Sequence, residues 1–264
     1  MQIRTPQQIT QAALEAGCAK TALSPLRLSV LAVMAGAFIA LGGILSIVAG
    51  WGLPEATASN PGLQRLLSGL TFPIGLILVV VLGAELFTGN NATMIPGYMA
   101  GRHRFTAVAY NWLIVYFGNL AGALLFAWGL VYCAGLTAAE PYHTAVVNTA
   151  LTKVSLPWLT VLLRGIGANW CVCLAVWLAL AGKTLVEKAI GCLLPVMAFV
   201  VLGYEHCIAN MFFIPLGMME GADVTLWQFV WANLIPATIG NIIGGAVFVG
   251  CINAWLHLSP RKAS

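Results

Sequence analysis

Long apolar stretches alternate with short polar ones along the chain. Apolar runs at about 26–51, 66–87, 105–134, 157–181, 189–215 and 226–257 are each long enough to cross a bilayer core, which takes about 20 apolar residues. Between them fall turn residues and charges: Pro54, Glu55, Asn60 and Pro61; Arg102-His103-Arg104; a longer loop with Glu140, Pro141, His143 and Lys153; Lys183, Glu187 and Lys188; Glu220 and Asp223. The pattern predicts six membrane-spanning helices. Ahead of them, residues 6–23 read as a surface helix, with Thr5 as cap and Pro6 at the first helical position. Its Ile9, Ala12, Ala13 and Ala16 share one face, a weak amphipathic stripe suited to tethering the chain at the membrane surface. Residues 1–24 lack an apolar core and hold Gln, Glu and Lys, so no cleavable signal is expected.

Composition agrees. Of 264 residues, 60% are hydrophobic and 8% charged, with a mean hydropathy of +0.92, whereas soluble domains carry about 25% charged residues. The fold class is an all-α integral membrane protein, with 1–264 as a single membrane domain. The net charge of +4 is scattered over loops and gives no nucleic-acid surface. Seven cysteines sit mostly in apolar segments without paired spacing, and Cys171 and Cys173 point to different faces with no histidine beside them. They read as packing thiols, so no metal or cofactor is expected.

Loop charges orient the chain. With both termini cytoplasmic, that side collects Arg4, Lys20, Arg27, Arg102, Arg104, Lys183, Lys188, Arg261 and Lys262, leaving Arg65 and Lys153 outside and Arg164 within the fourth span. The excess of cations on one side predicts N-in, C-in. In a bacterium this means the inner membrane, since outer-membrane proteins are strand barrels.

Two stretches carry chemistry. Gly83-Ala84-Glu85-Leu86-Phe87-Thr88-Gly89-Asn90 and Gly203-Tyr204-Glu205-His206-Cys207-Ile208-Ala209-Asn210 share Gly-x-Glu, an Asn five residues after the Glu, and then Ile-Pro. One copy has His where the other has Leu, and Ile where the other has Thr. Gly36-Ala37 pairs with Gly167-Ala168, and Gly118-Asn119-x-x-Gly122 with Gly240-Asn241-x-x-Gly244. Two three-span halves, 26–134 and 157–257, therefore form an inverted repeat, with the working site at the midplane where interrupted helices meet. Gly89-Asn90-Asn91 and Ile95-Pro96-Gly97 are expected to break the second span, and Asn210 and Ile214-Pro215 the fifth. Irregular backbone at that depth is tolerated where it lines a cavity.

Intramembrane polar groups mark function. His206, with an ordinary pKa of about 6.5, titrates or donates a hydrogen bond in the physiological range; that suits a small anion that is the base of a weak acid. Glu85 and Glu205 would repel such cargo and read as structural acceptors for backbone N–H groups or the Asn side chains. Arg164 either snorkels outward or attracts anions at the entrance. Asn169 is placed to bond a loop of the opposite repeat. Phe72, Leu76, Leu86, Phe87 and Phe199 flank the two motifs and suit an apolar gate.

The motifs Gly83–Gly89, Gly165-Ile-Gly-Ala-Asn-Trp-Cys-Val-Cys-Leu-Ala-Val-Trp177 and Gly203–Met211, in this order and spacing, resemble the formate/nitrite transporter family over 25–257. The resemblance implies an aquaporin-like six-helix protomer in a homopentamer, with one pore per protomer in the lipid bilayer. It implies His206 as central pore histidine, donating a proton to the permeating anion, with Thr88 as its partner. Glu205 adjoins the histidine, Asn210 follows in the same motif, and Lys153 and Asn169 match the outer-vestibule lysine and the asparagine of span four. It places Phe72, Leu76 and Phe199 at a cytoplasmic constriction, and Leu86 and Phe87 near a periplasmic one. The cargo it implies is nitrite or formate, with hydrosulfide as the alternative. Cys207 departs from the Ser of many members. A neutral-solute channel of aquaporin type would carry Asn-Pro-Ala at both breaks, where this chain has Asn-Asn-Ala and Ala-Asn-Met. A membrane enzyme subunit would need a nucleophile–base set, a haem pair or a metal cluster, and one buried His with scattered Cys supplies none.

Overall fold

The computed structural model describes residues 3–258; Arg261 and Lys262, counted above for orientation, lie outside the described residues. A first helix, α1 (Pro6–Thr21), starts at Thr5, whose hydroxyl accepts from Gln8 N–H while Gln8 returns a bond to Thr5 N–H. The spans follow: α2 (Pro25–Trp51), α3 (Pro61–Leu82), two short helices α4 (Phe87–Thr93) and α5 (Ile95–Met99), then α6 (Phe105–Tyr132). The second half repeats the order with α7 (Tyr142–Ser155), α8 (Trp158–Ala181), α9 (Leu185–Val201), α10 (Cys207–Met219) and α11 (Gln228–His257). Among the described residues five helices are long and apolar enough to cross a membrane, α2, α3, α6, α8 and α11. The fifth span is divided between α9 and α10, 17 and 13 residues long. At a rise of about 1.5 Å per residue, α10 reaches only about 20 Å, so the span needs both pieces.

Three expectations are corrected. His143 and Lys153 do not lie in a loop; both are on α7. That helix stands before the second repeat as α1 stands before the first, so each repeat has a leading helix ahead of its three spans.

The breaks also lie earlier than expected. Asn90 and Asn91 are helical residues of α4, and Asn210, Ile214 and Pro215 are inside a continuous α10. The chain turns instead at Gly83 (φ 71°) and Gly203 (φ 70°). A Cβ at either would meet nothing within 4 Å, so the demand for glycine is the left-handed backbone itself, which costs other L-residues about 1–2 kcal/mol. Extended residues ending in Leu86 (φ −107°, ψ 123°) and His206 (φ −108°, ψ 115°) then feed α4 and α10. The Ile95-Pro96 step coincides with a second, milder interruption at Met94.

The third correction concerns register. Glycines let the spans approach closely, as small residues do in membranes: a Cβ at Gly122 would overlap the Val33 carbonyl, and one at Gly244 the Ile166 carbonyl. Val33 and Ile166 are 133 residues apart. Gly36 therefore answers to Asn169, not to Gly167. The outward faces of these helices carry Leu113, Phe117, Trp128, Leu163 and Trp255 in exposed positions, a surface for lipid or for another protein.

Candidate functional site

Each break is held by the same hydrogen bonds. In the first, Asn119 Oδ1 accepts the Phe87 N–H (2.9 Å), and its Nδ2 donates to the carbonyls of Ala32 (2.7 Å) and Glu85 (2.9 Å). In the second, Asn241 Oδ1 accepts the Cys207 N–H (2.8 Å), and its Nδ2 donates to Gly165 (2.8 Å) and Glu205 (2.9 Å). The Glu85 N–H donates to Leu31 O (3.2 Å) and the Glu205 N–H to Arg164 O (3.3 Å). Backbone groups that the broken helices leave without a ladder partner thus find one inside the protein, as the bilayer requires.

The carboxylates are structural acceptors, as expected, and their partners are the asparagine side chains. Asn90 Nδ2 donates to Glu85 Oε2 (2.7 Å) and Asn111 Oδ1 (2.8 Å); Asn210 Nδ2 donates to Glu205 Oε2 (2.7 Å) and Asn233 Oδ1 (2.7 Å). A lysine closes each set. Lys20 Nζ of α1 lies 2.6 Å from Glu85 Oε1, and Lys153 Nζ of α7 lies 3.1 Å from both oxygens of Glu205. Pairing makes a carboxylate tolerable at this depth, because each lysine supplies the charge that its partner lacks.

On this symmetric frame two residues that the repeat does not share meet. His206 Nε2 is 2.9 Å from Thr88 Oγ1, with Thr88 0% and His206 2% exposed. The histidine also caps α10, its Nδ1 accepting the Ala209 N–H at 3.1 Å. An acceptor nitrogen carries no proton, so the network assigns the neutral ring's proton to Nε2, which donates to Thr88. Asn169, the residue answering to Gly36, reaches the same place: its Nδ2 faces the carbonyls of Thr88 (3.2 Å) and Asn241 (2.6 Å) and Asn91 Oδ1 (3.1 Å). Its amide thus bonds the opposite repeat. Cys173, one turn on, also faces Thr88 O (3.2 Å).

Two cavities lie on either side of the junction. One, about 320 Å³, is lined by Lys153, Glu205, Arg164, Phe72, Phe199 and His206; the other, about 360 Å³, by Lys20, Glu85, Leu31, Leu76, Val79 and Leu86. The expected grouping of the apolar residues is therefore wrong. Phe72 and Phe199 face each other edge to face (5.6 Å) on the Lys153 side, and Phe199 stacks on His206 (5.8 Å). Leu76 groups with Leu86 on the Lys20 side. Phe87 lines neither cavity; the break turns its ring outward onto Trp112 and Tyr116 (6.1 and 4.9 Å), in an apolar groove between α6 and α11. The motif alone could not tell the sides apart, because the chain passes from extended at Leu86 to helical at Phe87 and the two side chains leave it in different directions.

Reasoning from sequence missed Asn111, Asn119, Asn233, Asn241 and Lys20. For Asn119 and Asn241 the signal was present in the repeated Gly-Asn-x-x-Gly. Lys20 had none until α7 was seen to be the counterpart of α1.

Comparison with known proteins gives the same picture. The family model described as formate/nitrite transporter matches residues 7–255. The formate channel FocA of Escherichia coli (strain K12) is 40% identical over an alignment of 266 residues, covering 93% of this chain and 91% of that protein. A solved structure described as an FNT family ion channel superposes with a TM-score of 0.83 at 31% identity, over 96% of this chain and 99% of that one. Another, described as a pentameric formate channel with formate bound, gives 0.77 at 32% identity, over 89% and 98%. With its two inverted repeats and its paired breaks, the chain belongs to the formate/nitrite transporter family.

Proposed function

We propose that this protein is a channel for small monovalent anions of weak acids, formate or nitrite first and hydrosulfide as the alternative, rather than an enzyme. One observation carries the reading: the Thr88–His206 contact of 2.9 Å closes a polar point between two apolar constrictions, Phe72 with Phe199 and Leu76 with Leu86. A bare anion at this depth is costly, and Lys153 and Lys20 mark the two approaches to it. At the junction an anion displaces one partner of the contact and takes the imidazole Nε2–H or the Thr88 hydroxyl as donor.

The cap at Nδ1 limits the histidine's part. A neutral ring with its proton on Nε2 offers a hydrogen bond; to give a proton away it must first gain one at Nδ1, which breaks the bond from Ala209 N–H. The ring therefore acts as a donor in the capped geometry, and proton donation requires α10 to release its cap. Glu205 and Asn210 act through position, holding the second break and Lys153, and Asn169 fixes the Thr88 carbonyl.

The relative described as pentameric and the exposed apolar faces of the helices support a homopentamer in lipid, each protomer with its own path. The cation excess at the termini and at Arg102, Arg104, Lys183 and Lys188 supports cytoplasmic termini in a bacterial inner membrane. The test is uptake of formate, nitrite and hydrosulfide into proteoliposomes. Saturable or selective anion uptake by the parent supports the reading; water or neutral-solute flux without anion flux contradicts it.

A further inference from the structure

The two vestibules have equivalent backbone and equivalent ion pairs, yet they differ in charge, at one half-buried position above all. Glu85 N–H donates to Leu31 O and Glu205 N–H to Arg164 O, so Leu31 and Arg164 are counterparts, 133 residues apart like Lys20 and Lys153. Leu31 lines the Lys20 cavity and Arg164 the Lys153 cavity. In both cavities the lysine is cancelled by its glutamate: Lys20 at 2.6 Å from Glu85, Lys153 at 3.1 Å from both oxygens of Glu205. Among the described residues no other charged residue lines the Lys20 cavity. The Lys153 cavity adds Arg164 and, at an exposed position, Arg65.

Arg164 makes no ion pair among the described residues. Its Nη1 donates to Gly203 O at 3.4 Å, the carbonyl of the left-handed residue that opens the second break, three residues before His206. The guanidinium is half-buried and carries five N–H donors. A cleft with one sign of net charge and low-dielectric walls focuses the field and gathers counter-ions. A guanidinium fork also matches planar oxyanions better than an ammonium does.

We propose that Arg164, not Lys153, recruits the anion in the Lys153-side vestibule, taking planar carboxylate-like or oxo-anions, and that entry from that side is electrostatically steered while entry from the Lys20 side is not. This rests on the anion-channel reading above.

The test is formate current through the full-length protein in planar bilayers, measured for entry from each side. Ionic strength is raised with an impermeant salt from about 0.01 to 1 M, where the screening length falls from about 30 to 3 Å. The parent is expected to lose about ten-fold of its Lys153-side current and little of its Lys20-side current. R164Q is expected to start at the screened value on the Lys153 side and to show no side difference; R164K is expected to keep the difference. An R164Q channel with the parental side difference overturns the proposal, as does one whose current falls equally on both sides at every ionic strength. If R164Q does not assemble, the parent decides: formate current with no difference in salt dependence between the sides overturns the proposal alone. A parent that passes no anion overturns the channel reading with it.

Discussion

The first break, at Gly83–Thr88, and the second, at Gly203–Ile208, are the same device built twice. Each has a left-handed glycine, a buried glutamate neutralised by a lysine, an asparagine five residues on, and a second asparagine from a distant helix that accepts the first N–H of the new helix. Within the breaks they differ at Ala84 against Tyr204, Leu86 against His206, Phe87 against Cys207 and Thr88 against Ile208, and the flanking spans differ, among other positions, at Gly36 against Asn169 and Leu31 against Arg164. His206, Thr88 and Asn169 converge on the junction, and Arg164 lies in the vestibule beside it. The shared residues make a helix break survivable in a membrane; on the proposed function the unshared ones supply the donor chemistry and the charge. Function in this fold is read from where the repeat fails to repeat.

The largest effect should come from the shared frame. Asn119→Ala and Asn241→Ala each orphan one backbone N–H and two carbonyls, at about 1–3 kcal/mol for each buried group left unpaired. Both variants should lose assembled protein in detergent, to a similar degree, by fluorescence-detected size exclusion. A well-assembled Asn119→Ala beside a collapsed Asn241→Ala would break the equivalence of the two halves.

Next come the ion pairs. Glu205→Gln strands the Lys153 charge and Glu85→Gln that of Lys20. Removing one partner of a fully buried pair costs about 3–5 kcal/mol; both lysines are partly solvated, so about 1–3 kcal/mol is expected here. Thermal unfolding in detergent should show matched decreases for the two variants, and a decrease in only one would show that the pairs are not interchangeable.

Thr88→Val keeps the shape and removes the hydroxyl. Stability should fall by only about 1 kcal/mol, while formate uptake falls several-fold and the assembled fraction is unchanged. Uptake at the parental rate would take Thr88 out of the path. The smallest effect lies outside the comparison. Thr184 caps α9 by accepting Glu187 N–H at 3.3 Å, and Thr184→Ala should cost about 1 kcal/mol without touching selectivity.

Hydrophobic runs gave the spans to within a few residues, because apolar length has one solution in a bilayer. The repeated Gly-x-Glu and the unmatched His and Thr also led to the place where the two breaks meet. Three things were hidden. Pro215 and the paired asparagines look like helix breakers, but Pro215 sits in an unbroken α10 and the asparagine side chains reach back to the glutamates; the break is a φ value at Gly83 and Gly203, which no composition signal separates from any other glycine. The leading helix of the second repeat was invisible because α7 is only moderately apolar and follows a turn that ends in Glu140 and Pro141. The sides faced by Phe72 and Leu76 depended on where the junction falls along α3, and that of Phe87 on which way the first break turns, three-dimensional facts with no linear trace.

The most direct test of the central claim is to remove the histidine difference between the two breaks. His206→Leu places in the second break the residue that the first already has at Leu86, keeping the glycine, glutamate and asparagine frame. The measurement is formate uptake into proteoliposomes, beside the elution profile of the same preparation. The account predicts native assembly with formate uptake reduced at least ten-fold. Native assembly with parental uptake and anion preference would contradict it, and would move the working chemistry away from the His206–Thr88 junction.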